Sequence, residues 1–255
     1  MIGAIAGNVI GSVRESSRIK STTFPLFHPR CHFTADTVLT VATAWAILTD
    51  TPYGMAYYRF GRRYPHARYG PSFFEWLKSG RPRPYGSWGN GSAMRVSPIG
   101  WAFHTRGDVL REAERSAAYT HDHPEGIKGA QATALAVFLA RSKASKEDIR
   151  DELSELFDYD LRRSIDQIRD GYQWDMTCRG SVPEAIIAFL DSTDFEDAIR
   201  LAVSLGGDAD TQAAIAGGIA HAFYRQVPAL IAVKVRSLLP AEFIDVIDRF
   251  DDRFL

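Results

Sequence analysis

The stretch SLGGDADTQAAIAGGIAHAFY, residues 204–224, decides the fold. Its apolar residues recur with helical periodicity over 211–224, but most of them are alanine or glycine. Each glycine inside a helix costs about 1 kcal/mol relative to alanine, so this helix needs close contacts with its neighbours in compensation. We therefore expect a central, tightly packed helix that begins directly after two glycines and two aspartates.

Most of the remaining chain shows the same helical periodicity. No run alternates with period two for long enough to form a pair of strands. Start signals agree: Ser145 precedes Glu147 and Asp148, Thr193 and Asp194 precede an acidic first turn, and Ser181 precedes Pro183. The segments typical of helices are 38–48, 109–119, 127–141, 146–157, 183–190, 195–205, 211–224, 228–239 and 241–253. No shift in composition marks a linker, so we expect one compact all-α domain over residues 1–255.

The composition excludes several classes of protein. With 45% hydrophobic and 24% charged residues, the 255-residue chain can bury a substantial core. Thirty basic and 31 acidic residues leave a net charge of −1, so no overall field attracts nucleic acid or anionic lipid. Two cysteines, Cys31 and Cys178, favour a reducing compartment, and we expect the cytoplasm. The apolar opening, residues 1–13, is too short for a membrane span and lacks the basic start of a signal peptide.

Residues 53–90 interrupt the helical pattern. Glycine, proline and aromatic residues crowd there, and we expect a long loop with a short helix over 72–78. Long ordered loops are usually functional, but a solvated surface excursion fits this composition equally well. Six arginines face the single acid Glu75 in this segment, namely Arg59, Arg62, Arg63, Arg68, Arg81 and Arg83.

Two clusters of oxygen-bearing side chains stand at the starts of predicted buried helices. They are Thr34-Ala35-Asp36-Thr37 and Asp208-Ala209-Asp210-Thr211. Either cluster alone fits helix capping, although capping needs only one such residue. Asp208 and Asp210 repel each other unless a cation lies between them. Oxygen ligands without cysteine or histidine favour Mg²⁺ or Mn²⁺, and two converging clusters could hold two ions that activate a water.

Two further motifs could contribute to a site. In GNGSAMR, residues 89–95, the two glycines around Asn90 leave backbone N–H groups open to a phosphate or carboxylate, or they form a tight turn. In THDHPEG, residues 120–126, the histidines could ligate metal or transfer protons. Their spacing does not match a helical pair of zinc ligands, so capping and support of a neighbouring site are favoured.

Five segments follow one another through the chain: GAIAGNVIGSVRE, FTADTVLTVA, WGNGSAMRVSPIGW, THDHPEGIKGAQATA and SLGGDADTQAAIAGGIAHAFY. In these segments and their order the chain resembles the ADP-ribosylglycohydrolase family, nearly from end to end. The resemblance implies a compact all-α fold with a binuclear Mg²⁺ or Mn²⁺ centre at the base of a cleft that receives ADP-ribose. It also implies metal-dependent hydrolysis of the glycosidic bond between ADP-ribose and an acceptor.

The resemblance assigns expected roles to individual residues. The implied metal ligands are Thr34, Asp36, Asp208, Asp210 and Thr211. Asp36 and Glu15 are the implied catalytic residues, with Glu15 on a mobile loop that reaches toward the metals. The implied substrate-binding residues are Gly89, Asn90, Gly91, Ser92, Met94 and His121, with Gly126, Tyr172 and Trp174 as further cleft wall. Tyr172 or Trp174 is expected either to stack on adenine or to lie in the core.

Two positions depart from the family pattern. Asn8 stands where the family has an aspartate, which changes a charged hydrogen bond to a neutral one. Ala35 stands at the position of a usual metal-binding and catalytic aspartate, and a methyl group can neither coordinate an ion nor move a proton. We therefore expect this chain to turn over slowly. Ala35 indicates a naturally inactive relative or, as we favour, a substitution introduced to trap a substrate.

Other functions remain open at this point. With a natural Ala35 the chain would be a catalytically inactive ADP-ribose-binding module. The arginine-rich segment instead suggests a hydrolase acting on ADP-ribosylated nucleic acid. The expected partners are ADP-ribose and an ADP-ribosylated protein or nucleic acid, with no membrane, and a monomer is expected. The motifs do not specify whether the acceptor is arginine, serine, an acetyl group or a nucleic-acid base.

Overall fold

A computed structural model describes residues 1–80 and 83–255 of the chain. The described residues form fourteen α-helices and no β-strand, which confirms the all-α prediction. None of these helices is long and apolar enough to cross a lipid bilayer. The helices are α1 (Ile2–Gly11), α2 (Ala35–Thr49), α3 (Tyr53–Arg63), α4 (Pro71–Lys78), α5 (Ser97–Ala102), α6 (Arg106–Ala117), α7 (Pro124–Arg141), α8 (Lys146–Phe157), α9 (Ile165–Ile168), α10 (Cys178–Asp191), α11 (Phe195–Ser204), α12 (Ala209–Tyr224), α13 (Ala229–Arg236) and α14 (Ala241–Phe254).

Helix α12 lies at the centre of the fold, as its small residues predict. Every residue of α12 as far as Ala222 is buried, and α1, α7, α10 and α11 pack around it. The contact with α1 is so close that a Cβ atom on Gly7 would lie 1.9 Å from the Ala213 carbonyl oxygen. Only a residue without a side chain allows two backbones to approach in this way. The small residues of both helices therefore set the distance between them.

Helix α1 also aligns the starts of two other helices. A Cβ atom on Gly11 would lie 2.5 Å from the carbonyl oxygen of Ala209, so α1 ends against the first turn of α12. In the same helix, Asn8 accepts hydrogen bonds from the backbone N–H of Thr34 at 3.0 Å and from the Thr37 hydroxyl at 2.7 Å. The first turns of α2 and α12 are thereby held side by side.

The helix boundaries follow the capping residues. Ser145 and Asp194 cap α8 and α11 as predicted, accepting N–H groups at 3.1 and 2.8 Å. The predicted start of the helix at Pro183 is wrong, because α10 begins at Cys178. The Thr177 hydroxyl accepts the N–H of Gly180 at 3.0 Å and starts the helix there, so Pro183 lies inside it.

The predicted long loop over residues 53–90 is wrong in its first part. Residues 53–63 form α3, which buries one face containing Tyr53, Tyr57 and Phe60 against the core. The apolar residues at intervals of three and four outweigh the glycines that suggested a loop. The short helix expected over 72–78 is confirmed as α4.

The arginines of this segment are dispersed over separate partners. Arg59 lies 4.5 Å from the centre of the Trp45 ring. Arg62 donates to the Tyr58 hydroxyl, Arg63 to Glu242 and Arg68 to Glu15. Arg83 is exposed, and Arg81 lies outside the described residues. The described arginines therefore do not act as one basic patch.

Candidate active site

A cleft of about 600 Å³ opens above the first turns of α2 and α12. Most residues that the sequence singled out meet there, although they come from six separate parts of the chain. Those lining the cleft are Glu15, Thr34, Ala35, Asp36, Gly89, Asn90, Gly91, Met94, His121, Trp174, Asp208, Asp210 and Thr211. Their roles in binding and catalysis stay predictions.

The side chains at the starts of α2 and α12 do not cap these helices. Thr34 and Asp208 occupy the N-cap positions, but neither accepts a hydrogen bond from an N–H group of its own helix. The Asp208 carboxylate instead accepts a hydrogen bond from the Asn90 amide at 2.8 Å. The simple capping interpretation is therefore wrong for both residues, because their side chains turn toward the base of the cleft.

Five side chains form an oxygen cluster at this base: Thr34, Asp36, Asp208, Asp210 and Thr211. The Thr34 hydroxyl oxygen lies 3.3 Å from Asp36 Oδ1 and 3.1 Å from Asp210 Oδ2. The Thr211 hydroxyl donates to Asp36 Oδ2 at 3.0 Å. Thr34 thus links carboxylates of α2 and α12, and Thr211 of α12 bonds the carboxylate of Asp36 in α2.

Burial and mutual repulsion govern the charge of the oxygen cluster. Burial, followed by the charge of Asp210, raises the pKa of Asp36 well above its usual range. Burial and the charges of Asp210 and Asp36 do the same to the pKa of Asp208. No basic side chain in residues 1–80 and 83–255 forms an ion pair with the three carboxylates within 4.0 Å. The cluster therefore lacks a protein counter-charge in this part of the chain.

The donor chemistry of the oxygen cluster suits a hard cation. Carboxylate and hydroxyl oxygens are the ligands that Mg²⁺ and Mn²⁺ prefer, and a cation would offset the buried negative charge. Within the described residues, no three His, Cys, Asp or Glu side chains lie close enough together to hold one ion. A metal site here would have to include the threonine oxygens or water.

Asn8 supports the oxygen cluster from below. Its Nδ2 donates to the Thr34 hydroxyl oxygen at 2.6 Å and lies 3.5 Å from Asp210 Oδ2, while its Oδ1 accepts from Thr34 and Thr37. A carboxylate at position 8 could accept hydrogen bonds but could not donate these two. Asn8 therefore contributes an uncharged amide to these hydrogen bonds, where an aspartate would contribute a charged carboxylate, as the sequence predicts.

The glycine turn forms the wall beside the cluster. Asn90 joins the turn to the cluster through Asp208 and to the start of α10 through Ser181, at 3.1 Å. A Cβ atom on Gly91 would lie 3.1 Å from His121 Nε2, so the glycine makes room for the imidazole ring. Asn90 and Gly91 thus form a wall with His121.

Three of the predicted substrate-binding residues do not line the cleft. The Ser92 hydroxyl donates to the Gly126 carbonyl oxygen at 2.7 Å, and both residues lie behind the turn. The Tyr172 hydroxyl donates to Gly180 at 2.7 Å and accepts from Gln212 at 2.9 Å, so this ring packs behind the Gly206-Gly207 turn. Of the two aromatic candidates for adenine, only Trp174 lines the cleft.

Glu15 lies at the cleft mouth on the loop after α1. Its carboxylate pairs with Arg68 at 2.9 Å. Burial and the charge of Asp210 raise its pKa, and Arg68 partly opposes this rise. Five residues further along the chain, Lys20 donates to the carbonyl oxygens of Arg169, Tyr172 and Leu205 at 2.6 to 2.7 Å. Lys20 therefore ties the segment that carries Glu15 to the turn before Asp208.

Several cleft residues escaped the motif analysis. Aromatic side chains from residues 69–88 form much of the remaining wall, and their only sequence signal was the crowding of aromatic residues in the segment 53–90. These residues are Tyr69, Phe73, Tyr85 and Trp88, and Arg68 and Arg95 line the cleft beside them.

Comparison with known proteins identifies the fold family. A model of the ADP-ribosylglycohydrolase family matches residues 1–254. The chain is 27% identical to ADP-ribosylhydrolase ARH3 of Mus musculus, with 89% of this chain and 84% of that protein covered. It is 32% identical to an ADP-ribosylarginine hydrolase of Pseudomonas putida (strain GB-1), over 53% of this chain and 38% of that protein. It spans about half the length of some other relatives.

A solved structure shows the same fold. The structure, described as an ADP-ribosylglycohydrolase-related protein complex, superposes with a TM-score of 0.71 and covers 100% of this chain and 97% of its own. At 24% identity this likeness concerns the fold alone. Together with the family match over almost every residue, it leads to one conclusion: the chain belongs to the ADP-ribosylglycohydrolase family.

Proposed function

We propose that this chain binds ADP-ribose in the cleft and that its site hydrolyses the glycosidic bond between ADP-ribose and an acceptor. We further propose that the reaction depends on two Mg²⁺ or Mn²⁺ ions and is slowed in this chain by Ala35. The observation that carries the proposal is the oxygen cluster, where the side chains of the N-cap residues Thr34 and Asp208 do not cap their own helices but contact Asp210 and Asn90. The mouse ADP-ribosylhydrolase and the Pseudomonas ADP-ribosylarginine hydrolase, by their names, support the same class of substrate.

The cleft suits a ligand of this kind in size and lining. Pockets of roughly 300–1,000 Å³ hold drug-sized ligands, and this cleft of about 600 Å³ lies within that range. Its base presents oxygen atoms, whereas Tyr85, Trp88 and Trp174 contribute aromatic rings to its walls. A molecule with ribose hydroxyls at one end and a purine ring at the other matches this division.

The residues of the oxygen cluster would hold the metal ions. Bound divalent cations supply positive charge to substrate oxygens and lower the pKa of a coordinated water. Asp36, Asp208 and Asp210 contribute carboxylates, while Thr34 and Thr211 contribute hydroxyl oxygens. Asn8 and Asn90 orient this set by their amide hydrogen bonds to Thr34 and Asp208.

Glu15 is placed for proton transfer at the cleft mouth. A half-buried carboxyl with a raised pKa holds or accepts a proton closer to neutral pH than an exposed one. Its partner Arg68 lines the same cleft and moderates that rise. We propose that Glu15 assists the leaving acceptor or gates its entry.

We expect Ala35 to slow turnover in this chain without preventing binding. It is the first residue of α2 and lines the cleft beside Asp36, so an aspartate there would add a carboxylate to the oxygen cluster. Without that group the attacking water loses one positioning contact, and an error of about 1 Å can cost on the order of 10²-fold in rate. We expect ADP-ribose to bind with little change.

The second candidate function is an ADP-ribose-binding module without turnover. It is favoured by the same alanine and because, among the described residues, no three His, Cys, Asp or Glu side chains lie close enough together to hold one ion. The acceptor also belongs to the proposal: the name of the Pseudomonas relative supports an arginine acceptor, and the dispersed described arginines of residues 53–90 do not favour nucleic acid.

Calorimetry with ADP-ribose tests the proposed site directly. In Mn²⁺ the chain should bind ADP-ribose and gain about 2.7 kcal/mol of stability at a hundredfold excess over Kd. Gly91→Leu should abolish this binding, because its side chain would run into His121. Gly107→Leu, at an exposed position with no neighbouring atom within 4 Å, is the matched control and should bind normally. No binding by the unmodified chain at millimolar ADP-ribose contradicts the proposal.

A further inference from the structure

Arg95 is a fully buried arginine in the wall of the cleft. Its Nη2 donates to the Ser116 carbonyl oxygen at 3.0 Å and to the Thr120 hydroxyl oxygen at 2.9 Å, and its guanidinium lies 4.2 Å from the centre of the Tyr57 ring. No carboxylate in the described parts of the chain pairs with it, and its Nε and Nη1 have no hydrogen-bond partner there. A buried charge without a counter-charge is costly, so stability alone does not explain this residue.

The contacts of Arg95 lead through Thr120 to His121. The Thr120 hydroxyl oxygen, which accepts from Arg95, lies 2.7 Å from His121 Nδ1. A cation on this side of the ring favours the tautomer whose lone pair is on Nδ1 and whose hydrogen is on Nε2. Burial, and then the charge of Arg95, also lower the pKa of His121 well below its ordinary value. Together these contacts favour a neutral imidazole with its N–H group on Nε2.

His121 Nε2 faces the cleft side of the glycine turn. It makes no hydrogen bond within the described residues, and the nearest turn positions are Gly91 and Gly89, whose Cβ atoms would lie 3.1 and 3.7 Å away. The base of the cleft thus carries the carboxylates of the oxygen cluster. The wall beside the glycine turn carries a free N–H group on His121 and the positive charge of Arg95, which has no counter-charge among the described residues. Such a division suits a ligand that has hydroxyl groups at one end and an anionic group further along.

We propose that Arg95 is a positioning residue for the phosphate groups of the ligand. It holds His121 as an Nε2–H donor toward a phosphate oxygen, and its unpaired charge favours that anion beside the glycine turn. This inference rests on the proposed function, in which the anion is the diphosphate of ADP-ribose.

Two variants and three ligands test the assignment. Arg95→Met removes the charge at similar length, and it should weaken the binding of ADP-ribose and of ADP by about tenfold or more, while adenosine binds as before. Arg95→Lys keeps the charge and should restore most of the lost affinity. Arg141→Met is the matched control, since Arg141 bonds the carbonyl oxygens of Gly100 and Phe103 and does not line the cleft. It should leave all three affinities unchanged.

Two further measurements separate positioning from structural support. In nitrogen-15 NMR spectra, His121 of the unmodified chain should show the Nε2–H tautomer, and Arg95→Met should show a mixture. The melting temperature of ligand-free Arg95→Met should not fall, because the substitution removes an unpaired buried charge. An equal loss of adenosine and ADP affinity, or an unchanged tautomer, would overturn the inference. Failure of the unmodified chain to bind ADP-ribose would refute the proposed function, whereas full binding by Arg95→Met would refute only the role of Arg95.

Discussion

The contact between α1 and α12 makes a specific prediction about Gly7. In Gly7→Ala the new Cβ atom would lie 1.9 Å from the Ala213 carbonyl oxygen and 2.3 Å from the carbonyl carbon. Cβ atoms essentially never approach other atoms within 3.0 Å, so the two helices must separate by about 1 Å. Backbone atoms cannot escape by changing rotamer. Since both helices are buried here, we expect a loss of about 3 kcal/mol, at the upper end of overpacking costs.

Urea unfolding followed by circular dichroism measures this loss. A loss of about 3 kcal/mol corresponds to a melting temperature lower by roughly 6–12 °C for a chain of this size. The matched control is Gly107→Ala in α6, where no atom lies within 4 Å of the added methyl group. This control should gain about 0.5–1 kcal/mol, since alanine favours the helix. If Gly7→Ala is as stable as the unmodified chain, the close packing of α1 on α12 is refuted.

Three other predictions concern charge. Asp208→Asn should lower Mn²⁺ affinity at least about tenfold by calorimetry, whereas Asp158→Asn should not; equal affinities would place the metal elsewhere. With a chelator present to remove metal ions, protonated Asp36 and Asp208 should stabilise the fold fully below about pH 4. This stability should be lost as the pH rises through the raised pKa values of these two groups in the folded state. Asp36→Asn should make the urea midpoint of unfolding fall less steeply over this range. Unmodified duplex DNA should bind weakly. Tight binding, with a logarithm of the binding constant that falls by about 0.9 per phosphate contact for each unit of log salt concentration, would contradict the local role of the arginines.

The sequence predicts the helical architecture well where small residues and caps are informative. The alanine- and glycine-rich segment indicates the central helix α12, and Ser145 marks the start of α8. Helix α1 is missing from the predicted helices, because three glycines interrupt the apolar run of residues 1–13. Gly3, Gly7 and Gly11 follow one another at intervals of four residues, which places them on the single face that packs on α12.

The site is only partly predictable from the sequence. Motifs and the family resemblance identify the oxygen cluster, but the positions of Tyr172 and Arg95 depend on packing between distant segments. Tyr172 is drawn behind the cleft by hydrogen bonds to Gly180 and Gln212, which no local pattern reveals. Arg95 looks like an ordinary surface arginine in the sequence, and only the structure shows that it is buried against Tyr57 without a counter-charge among the described residues.

Turnover by the Ala35→Asp variant tests the central claim most directly. The unmodified chain, Ala35→Asp and the uncharged control Ala35→Asn should be assayed with Mg²⁺ and with Mn²⁺ on ADP-ribosyl-arginine, ADP-ribosyl-serine, acetylated ADP-ribose and ADP-ribosylated nucleic acid. We predict that Ala35→Asp hydrolyses at least one of these substrates about 10²-fold faster, or more, than the other two forms do. The affinity for ADP-ribose should change far less. Full activity of the unmodified chain, or inactivity of Ala35→Asp on every acceptor, would contradict the account.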